Sequence, residues 1–441
     1  MAAVAIVAAE RRPWSVAAPY LAALGTFFYA SYSLANWAAS RRSHVPSLVF
    51  GWEHYIPFVA WTIVPYWSID LLYCLSFFIC RNCAELDRHA KRLLVAQILS
   101  VSSFLLIPLR FSFDRPEILG VFGGMFAALA SFDRPFNQAP SLHLSLAVIL
   151  AAKYSDHVDG MARGLLQGWF VLIGASALTT YQHHFVDVPT GIWVGLLCIA
   201  LVPESPVTSF EVGFIENCHW KLGGLYLAGS AFLGILASWA GGWAWWLLWP
   251  ASSCLIVACI YWTGQPEGFR KHNGHLQTPM RWLLAPYLAA ARLNARLWTR
   301  REVLAFEIAS QVWIGRFPGK AELRALHIGS IVDMTAELPA AIHGANYRSV
   351  PVLDLTVPSP AQLNRAVAAI ESLQPHRPTL VCCALGRSRS AAAVAAWLFA
   401  TRHTSTIDSA IALVERQRPG VVLTQAHRAG LYKWASERTD A

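Results

Sequence analysis

Charge is what this 441-residue sequence has least of: Asp, Glu, Lys and Arg together make up 14% of it, where soluble domains carry about 25%. A chain with so little polarity cannot cover a water-facing surface, which excludes an ordinary soluble protein. Aromatic residues at 12% exclude a disordered one, and only 28 Gly and 24 Pro exclude a collagen-like one. Lysine is scarcer still, six residues against 29 Arg. Nine cysteines do not make a disulfide framework, because Cys74, Cys80, Cys198, Cys254 and Cys259 lie inside apolar runs, as small core residues do. Cys80-x2-Cys83 has no second pair beside it and reads as incidental; no pattern asks for a metal or a cofactor. What is abundant is Trp, 19 residues, and apolar length, with a mean hydropathy of +0.41. Both point to a polytopic membrane protein, in a chain long enough for about three domains.

The charge is unevenly placed. Up to Thr263 there are 14 basic and 14 acidic residues; after it there are 21 and 12, so the whole excess of nine lies in the last 178 residues. Eight apolar runs before that point are candidates to cross a bilayer as helices, at about 20 residues each: 15–38, 57–80, 93–110, 140–155, 164–182, 187–203, 222–240 and 243–263. Arg81, Arg88, Lys91 and Arg92 crowd one short connection, which the positive-inside rule places in the cytoplasm, and Lys153 and Arg163 fall on the same side. Eight spans then leave both termini cytoplasmic. Loops 39–56 and 111–139 and the 181–188 turn face outside. Asp70, inside the second run, is either functional or a neutral carboxylic acid held by Ser or Tyr.

Two histidine motifs emerge on the outer face. Pro140-Ser141-Leu142-His143 opens the fourth run, and His183-His184-Phe185-Val186-Asp187 joins the fifth to the sixth. One imidazole can attack phosphorus while a second protonates the leaving oxygen. Asp187, four residues after His183, can fix its tautomer. Ser141 and the helix start behind it can hold phosphate oxygens, and Arg110, Arg115 and Arg134 can supply positive charge. Across about 100–200 these residues resemble the type 2 phosphatidic acid phosphatase superfamily. The resemblance implies six core spans, His183 as nucleophile, Asp187 as its partner and His143 as general acid. Neither Arg115-Pro116 nor Arg134-Pro135 has Lys seven residues before it, Ala177 replaces an Arg, and Leu142 replaces a Gly. Pro-Ser-Leu-His with His-His-x2-Asp looks more like the inositol phosphorylceramide synthase branch, whose members transfer headgroups between lipids, so hydrolysis and transfer both remain open.

After the last run, Arg270, Lys271, Arg281, Arg292, Arg296, Arg300 and Arg301 face only Glu267, interleaved with Leu283, Leu284, Tyr287, Leu288, Leu293, Leu297 and Trp298. Arg292, Arg296 and Arg300 share a helical face, so the segment reads as a helix lying on an anionic leaflet. From Val312 the pattern turns α/β. Strands are expected at 312–315, 330–334, 347–355 and 379–384, and helices at 319–327, 360–374, 388–402 and 405–417. The last strand runs into Cys383-Ala384-Leu385-Gly386-Arg387-Ser388-Arg389-Ser390. A cysteine at a strand end, a loop of amides and an arginine at a helix start make a phosphate cradle that favours thiolate. Arg389 can clamp two phosphate oxygens, and Ser390 can donate to the sulfur. Gly386 and Arg387 shape the substrate side.

Cys-x5-Arg is the signature of the protein tyrosine phosphatase superfamily. Trp313–Arg316, Ile331–Glu337 and Val350–Asp354 resemble its dual-specificity branch in order and spacing, over roughly 311–438. The resemblance implies Cys383 as nucleophile, Arg389 as clamp and Asp354 as general acid. Cys382 stands where the family has His, a change expected to raise the Cys383 pKa and to place a vicinal thiol beside it. The expected protein is therefore an all-α polytopic membrane bundle, six core spans and about eight in total, followed by an α/β phosphatase. Its domains are 1–263, a basic interfacial linker at 264–310, and 311–441. It would be a multi-pass cell-membrane protein without cofactors. One site would take an outer-leaflet lipid phosphate, the other a phosphoprotein or phosphoinositide at the anionic inner leaflet; nucleic acid is not a partner.

Overall fold

The structure is a computed structural model that describes residues 12–204, 219–340, 344–374 and 377–439. They fall into two compact units, one on either side of residues 205–218.

The first unit is helical: α1 (Trp14–Ser40), α2 (Ile63–Phe78), α3 (Cys83–Leu106), α4 (Gly120–Phe132), α5 (Leu142–Ser155), α6 (Gly160–Thr179) and α7 (Asp187–Leu201). Asn82 starts α3 by accepting from the Glu85 N–H at 2.9 Å, and Ser141 starts α5 by accepting from the Leu144 N–H at 3.3 Å, which satisfies amides the helices leave free. Leu86, Leu93 and Phe104 of α3 pack with Leu142 and Ile149 of α5 and Val194 and Cys198 of α7. The α5–α7 contact depends on Gly191-x3-Gly195. A Cβ at Gly191 would stand 2.5 Å from the Ser141 carbonyl oxygen, and one at Gly195 2.7 Å from Val148 Cβ. Small residues at this spacing let helix backbones meet where water supplies no driving force. Ser145 uses the closeness to donate to the Gly191 carbonyl at 3.0 Å. One element was not expected: α4 lies inside the 111–139 loop, where its apolar stretch is too short to read as a span. Its Phe126 and Leu129 pack with Ile63 and Tyr66 of α2.

The second unit begins with α8 (Trp220–Ala240) and α9 (Leu248–Thr263), joined by a 3₁₀ turn, Gly242–Leu247. A small hairpin follows, β1 (Lys271–His272) with β2 (His275–Leu276), then α10 (Thr278–Leu283) and α11 (Ala285–Thr299). Among the described residues of the whole chain, three helices are long and apolar enough to cross a membrane: 160–179, 220–240 and 242–263.

The rest of this unit is α/β. Strands β3 (Ala305–Ala309), β4 (Val312–Arg316), β5 (Ser330–Thr335), β6 (Asn346–Val352) and β7 (Thr379–Cys383) form one sheet in the order β3-β4-β7-β5-β6. β3 is antiparallel to β4, and the other pairings are parallel. Around the sheet lie α12 (Lys320–Ala325), α13 (Pro360–Leu373), α14 (Arg389–Ala400), α15 (Ile407–Gln417) and α16 (Gln425–Thr439). The four expected strands and four expected helices are present. β3 lies inside the segment expected to be linker, and α16 was missed because polar residues dominate it; Leu431 and Trp434, each about 1% exposed, hold it in the core. Central strand β7 is buried on both faces, as parallel strands are. The pleat sends Leu380 and Cys382 into one cluster with Ile331 and Leu304, and Val381 and Cys383 into the other with Ile314 and Val394.

Candidate active sites

Cys383 ends β7 at the carboxyl edge of the parallel strands, where α/β folds place their ligands. The chain then turns through Gly386 at φ +68°. A Cβ there would fall 2.2 Å from the Gly315 carbonyl carbon and 2.5 Å from the Arg316 nitrogen, so only glycine closes this loop. Arg418, 1% exposed, braces it from behind by donating to the carbonyls of Ile314 and Leu385, both at 3.1 Å. Val422 N–H donates to the Arg387 carbonyl at 2.9 Å. Ser390 Oγ lies 3.3 Å from Cys383 Sγ. Burial alone would push the Cys383 thiol up, but the Arg389 charge, the Ser390 hydroxyl and the amides of Ser390 and Ser388 outweigh it and hold the pKa below its ordinary value. Cys382 differs: burial, with Asp333 and Cys383 nearby, pushes its thiol well above the usual range.

Arg389 is 1% exposed and held on three sides. Its two terminal nitrogens donate to the two Glu337 oxygens at 3.1 Å each, Nη1 donates to the Val352 carbonyl at 2.9 Å, and Nη2 lies 2.8 Å from Asp354 Oδ1. Asp354 remains 43% exposed at the mouth. Its own carbonyl accepts a hydrogen bond from the buried Tyr261 hydroxyl of α9 at 3.0 Å. Sequence reasoning missed Glu337, Tyr261 and Arg418. The signal for Glu337 was an acid just past a buried strand; the other two carry none. Arg387, expected on the substrate side, is turned to Glu302 in an ion pair. Asp333 closes its own turn through the Thr335 N–H at 2.7 Å and accepts from Tyr347 at 2.7 Å and from Lys271.

In the first unit, the α5–α7 contact brings the histidine motifs together. His183 Nδ1 lies 3.2 Å from Asp187 Oδ2, and its Nε2 lies 3.1 Å from Ser141 Oγ. The carboxylate thus fixes the tautomer with Nε2 free of hydrogen. His183 opens onto a cavity of about 400 Å³ also lined by Arg110, Arg115, Arg134, Asp133 and Tyr32. The three arginines expected to supply positive charge all line the same cavity as His183. Asp133, bonded by the Tyr32 hydroxyl at 2.8 Å, was missed. His143 is set apart. Its ring stacks on Tyr66 at 4.0 Å between centroids, its Nε2 is buried without a partner, and it does not line the cavity. His184 is fully engaged by Glu53 at Nδ1, 3.0 Å away, and by Ser112 at Nε2, 3.1 Å away. Although burial opposes it, the hydrogen bonds from His184 and from the Phe50 and Phe185 amides hold Glu53 below the usual carboxylate range. Asp70 is exposed on α2 and lines neither site. Among the described residues, no group of three or more His, Cys, Asp or Glu side chains is placed to hold a metal ion.

Residues 312–437 match the dual specificity phosphatase catalytic domain family, and this region is such a domain. No curated protein matches the chain. Similar solved structures include Tk-PTP in its active form, at 28% identity over 30% of this chain and 96% of that one, with a TM-score of 0.28. A mouse putative dual specificity phosphatase complexed with zinc tungstate is 27% identical over 31% and 89%, at 0.29. PTPMT1 in complex with PI(5)P is 22% identical over 31% and 98%, also at 0.29.

Proposed function

We propose that the chain is a bifunctional membrane phosphatase, in which the dual-specificity domain dephosphorylates phosphoprotein at Tyr, Ser or Thr and the helical unit hydrolyses a lipid phosphate. The observation that carries the first activity is the convergence of a thiol of lowered pKa, Ser390, Arg389 and Asp354 at one strand end. Arg389 binds two phosphoryl oxygens, exchanging its contact with Asp354 for the substrate. Asp354, released from Arg389, stands at the mouth as the proton donor to the leaving-group oxygen. Cys383 thiolate attacks phosphorus, the P–O bond to the leaving group breaks, and the Asp354 proton goes to the departing oxygen. Water then attacks the cysteinyl-phosphate and gives a proton to Asp354. Phosphate leaves, and the Ser390 hydroxyl stabilises the returning thiolate. Cys383→Ser in the full chain is the test: loss of aryl-phosphate turnover is expected, and unchanged turnover would sink the assignment.

For the helical unit, three arginines around His183 support phosphate binding, and the His183–Asp187–Ser141 arrangement supports attack by Nε2. The resemblance would give the leaving-group proton to His143, but that ring is stacked on Tyr66 outside the cavity and is assigned no step. Release of phosphate from phosphatidate, lost in His183→Ala, is expected. Radiolabel passing instead to an acceptor lipid would make this unit a headgroup transferase, the alternative in which the soluble domain acts on phosphoinositides. We place both termini in the cytoplasm, with eight crossings, on the basic 81–92 connection.

A further inference from the structure

In the second unit, a cavity of about 490 Å³ lies away from Cys383, lined by Arg281, Trp282, Leu288 and Arg292 of α10 and α11 and by His275 of the β1–β2 hairpin. Pro339 and Ala340, from the segment after β5, close one wall. The size suits a small ligand or headgroup. Among the described residues, no carboxylate lines it. Burial and the like charges of Arg296 and Arg281 all depress the Arg292 pKa, so the cavity gathers positive charge without an internal anion to offset it. Its floor is apolar, and its helices are bonded to the apolar helix α9. Ser253 Oγ donates to the Leu283 carbonyl at 2.6 Å, and Trp249 Nε1 to the Trp282 carbonyl at 3.0 Å. Trp282 itself is 58% exposed. Paired arginines over an apolar base, beside a helix able to cross a bilayer, match an amphiphile with an anionic head.

The same hairpin is tied to the phosphatase site at two points. Lys271 donates to Asp333 and to the Thr335 carbonyl and hydroxyl, the latter two at 2.9 Å, while the Gly274 carbonyl accepts from the Ala340 N–H at 2.7 Å. Between these ties stands Glu337, which grips Arg389 with both oxygens. We propose that this cavity binds the phosphodiester headgroup of an anionic membrane lipid, and that its occupant stabilises the 335–340 segment and so the placement of Arg389. A ligand that favours one arrangement of the segment shifts the population toward it. The activating effect rests on the phosphatase reading of Cys383; lipid binding does not.

The full chain is reconstituted in nanodiscs of phosphatidylcholine with rising mole fractions of phosphatidylglycerol, and turnover of a soluble aryl phosphate is followed. A saturable, several-fold rise is expected. In the double variant Arg281→Gln/Arg292→Gln the rise should vanish, with the rate in pure phosphatidylcholine unchanged. Arg300→Gln/Arg301→Gln, outside the cavity, should keep it; equal loss in both variants would reduce the effect to general surface attraction and overturn the site. Soluble glycerophosphoglycerol added to neutral discs should not activate; full activation by it would overturn the membrane lipid as the source. Independently of turnover, native mass spectrometry should find phosphatidylglycerol retained on the detergent-solubilised wild type and lost from the double variant, and equal retention would overturn the site even if the chain proves inactive.

Discussion

The Cys383 thiol owes its lowered pKa to its neighbours, and each can be removed in turn. Without the Ser390 hydroxyl, burial is opposed by less, so the folded pKa rises. Because attack needs thiolate, the rising limb of kcat/KM against pH should move to higher pH in Ser390→Ala, with the rate below that limb falling; an unmoved limb would show that the hydroxyl does not stabilise the anion. Asp354→Asn should lower turnover of alkyl phosphates by roughly 10²–10⁴-fold, and lower aryl phosphates with good leaving groups far less. Glu337 is 3% exposed and holds a buried guanidinium. Glu337→Ala leaves that charge short of its partner and should cost about 3–5 kcal/mol, read as a fall in the unfolding midpoint in detergent. These three residues differ in legibility. Cys383 and Ser390 belong to a loop whose spacing is itself the signal. Glu337 acts from 52 residues away in sequence, and only the closing of the sheet shows what it touches.

At the scale of elements, the two sites depend on different contacts. Gly191→Leu drives a side chain into the Ser141 carbonyl, so it should separate α7 from α5 and abolish lipid-phosphate turnover while aryl-phosphate turnover by Cys383 persists; the reverse pattern would contradict the roles assigned. Tyr261→Phe removes the one hydrogen bond from α9 to the Asp354 backbone. The expected result copies Asp354→Asn in kind and is smaller in size: slower alkyl-phosphate turnover, little change for good leaving groups, KM nearly constant. A uniform loss on all substrates would mean that Tyr261 supports folding rather than the acid loop. Periodicity gave the helices and strands that have a clear apolar face. It missed α4, whose apolar stretch is shorter than a span, and α16, where two large side chains outweigh a polar composition. It also gave no hint that Arg387 would pair with Glu302, since neither residue's neighbours restrict where its side chain turns.

For the whole molecule, the charge asymmetry seen in the sequence acquires places. Arg389 is neutralised by Glu337 and Asp354, and Arg387 by Glu302, whereas Arg281 and Arg292 face a cavity that no acid lines among the described residues. Part of the excess thus sits on α10 and α11. A reporter fused after residue 441 should remain cytoplasmic; an external reporter would overturn the topology and the reducing environment Cys383 needs. A sulfenic acid formed on Cys383 can be rescued by condensing with a nearby thiol, yet its sequence neighbour Cys382 points into the opposite face of the sheet and holds its proton. The vicinal pair is therefore no safety catch. Peptide mapping after mild peroxide should find no Cys382–Cys383 disulfide, and repair of an oxidised nucleophile must come from a thiol supplied by the cell.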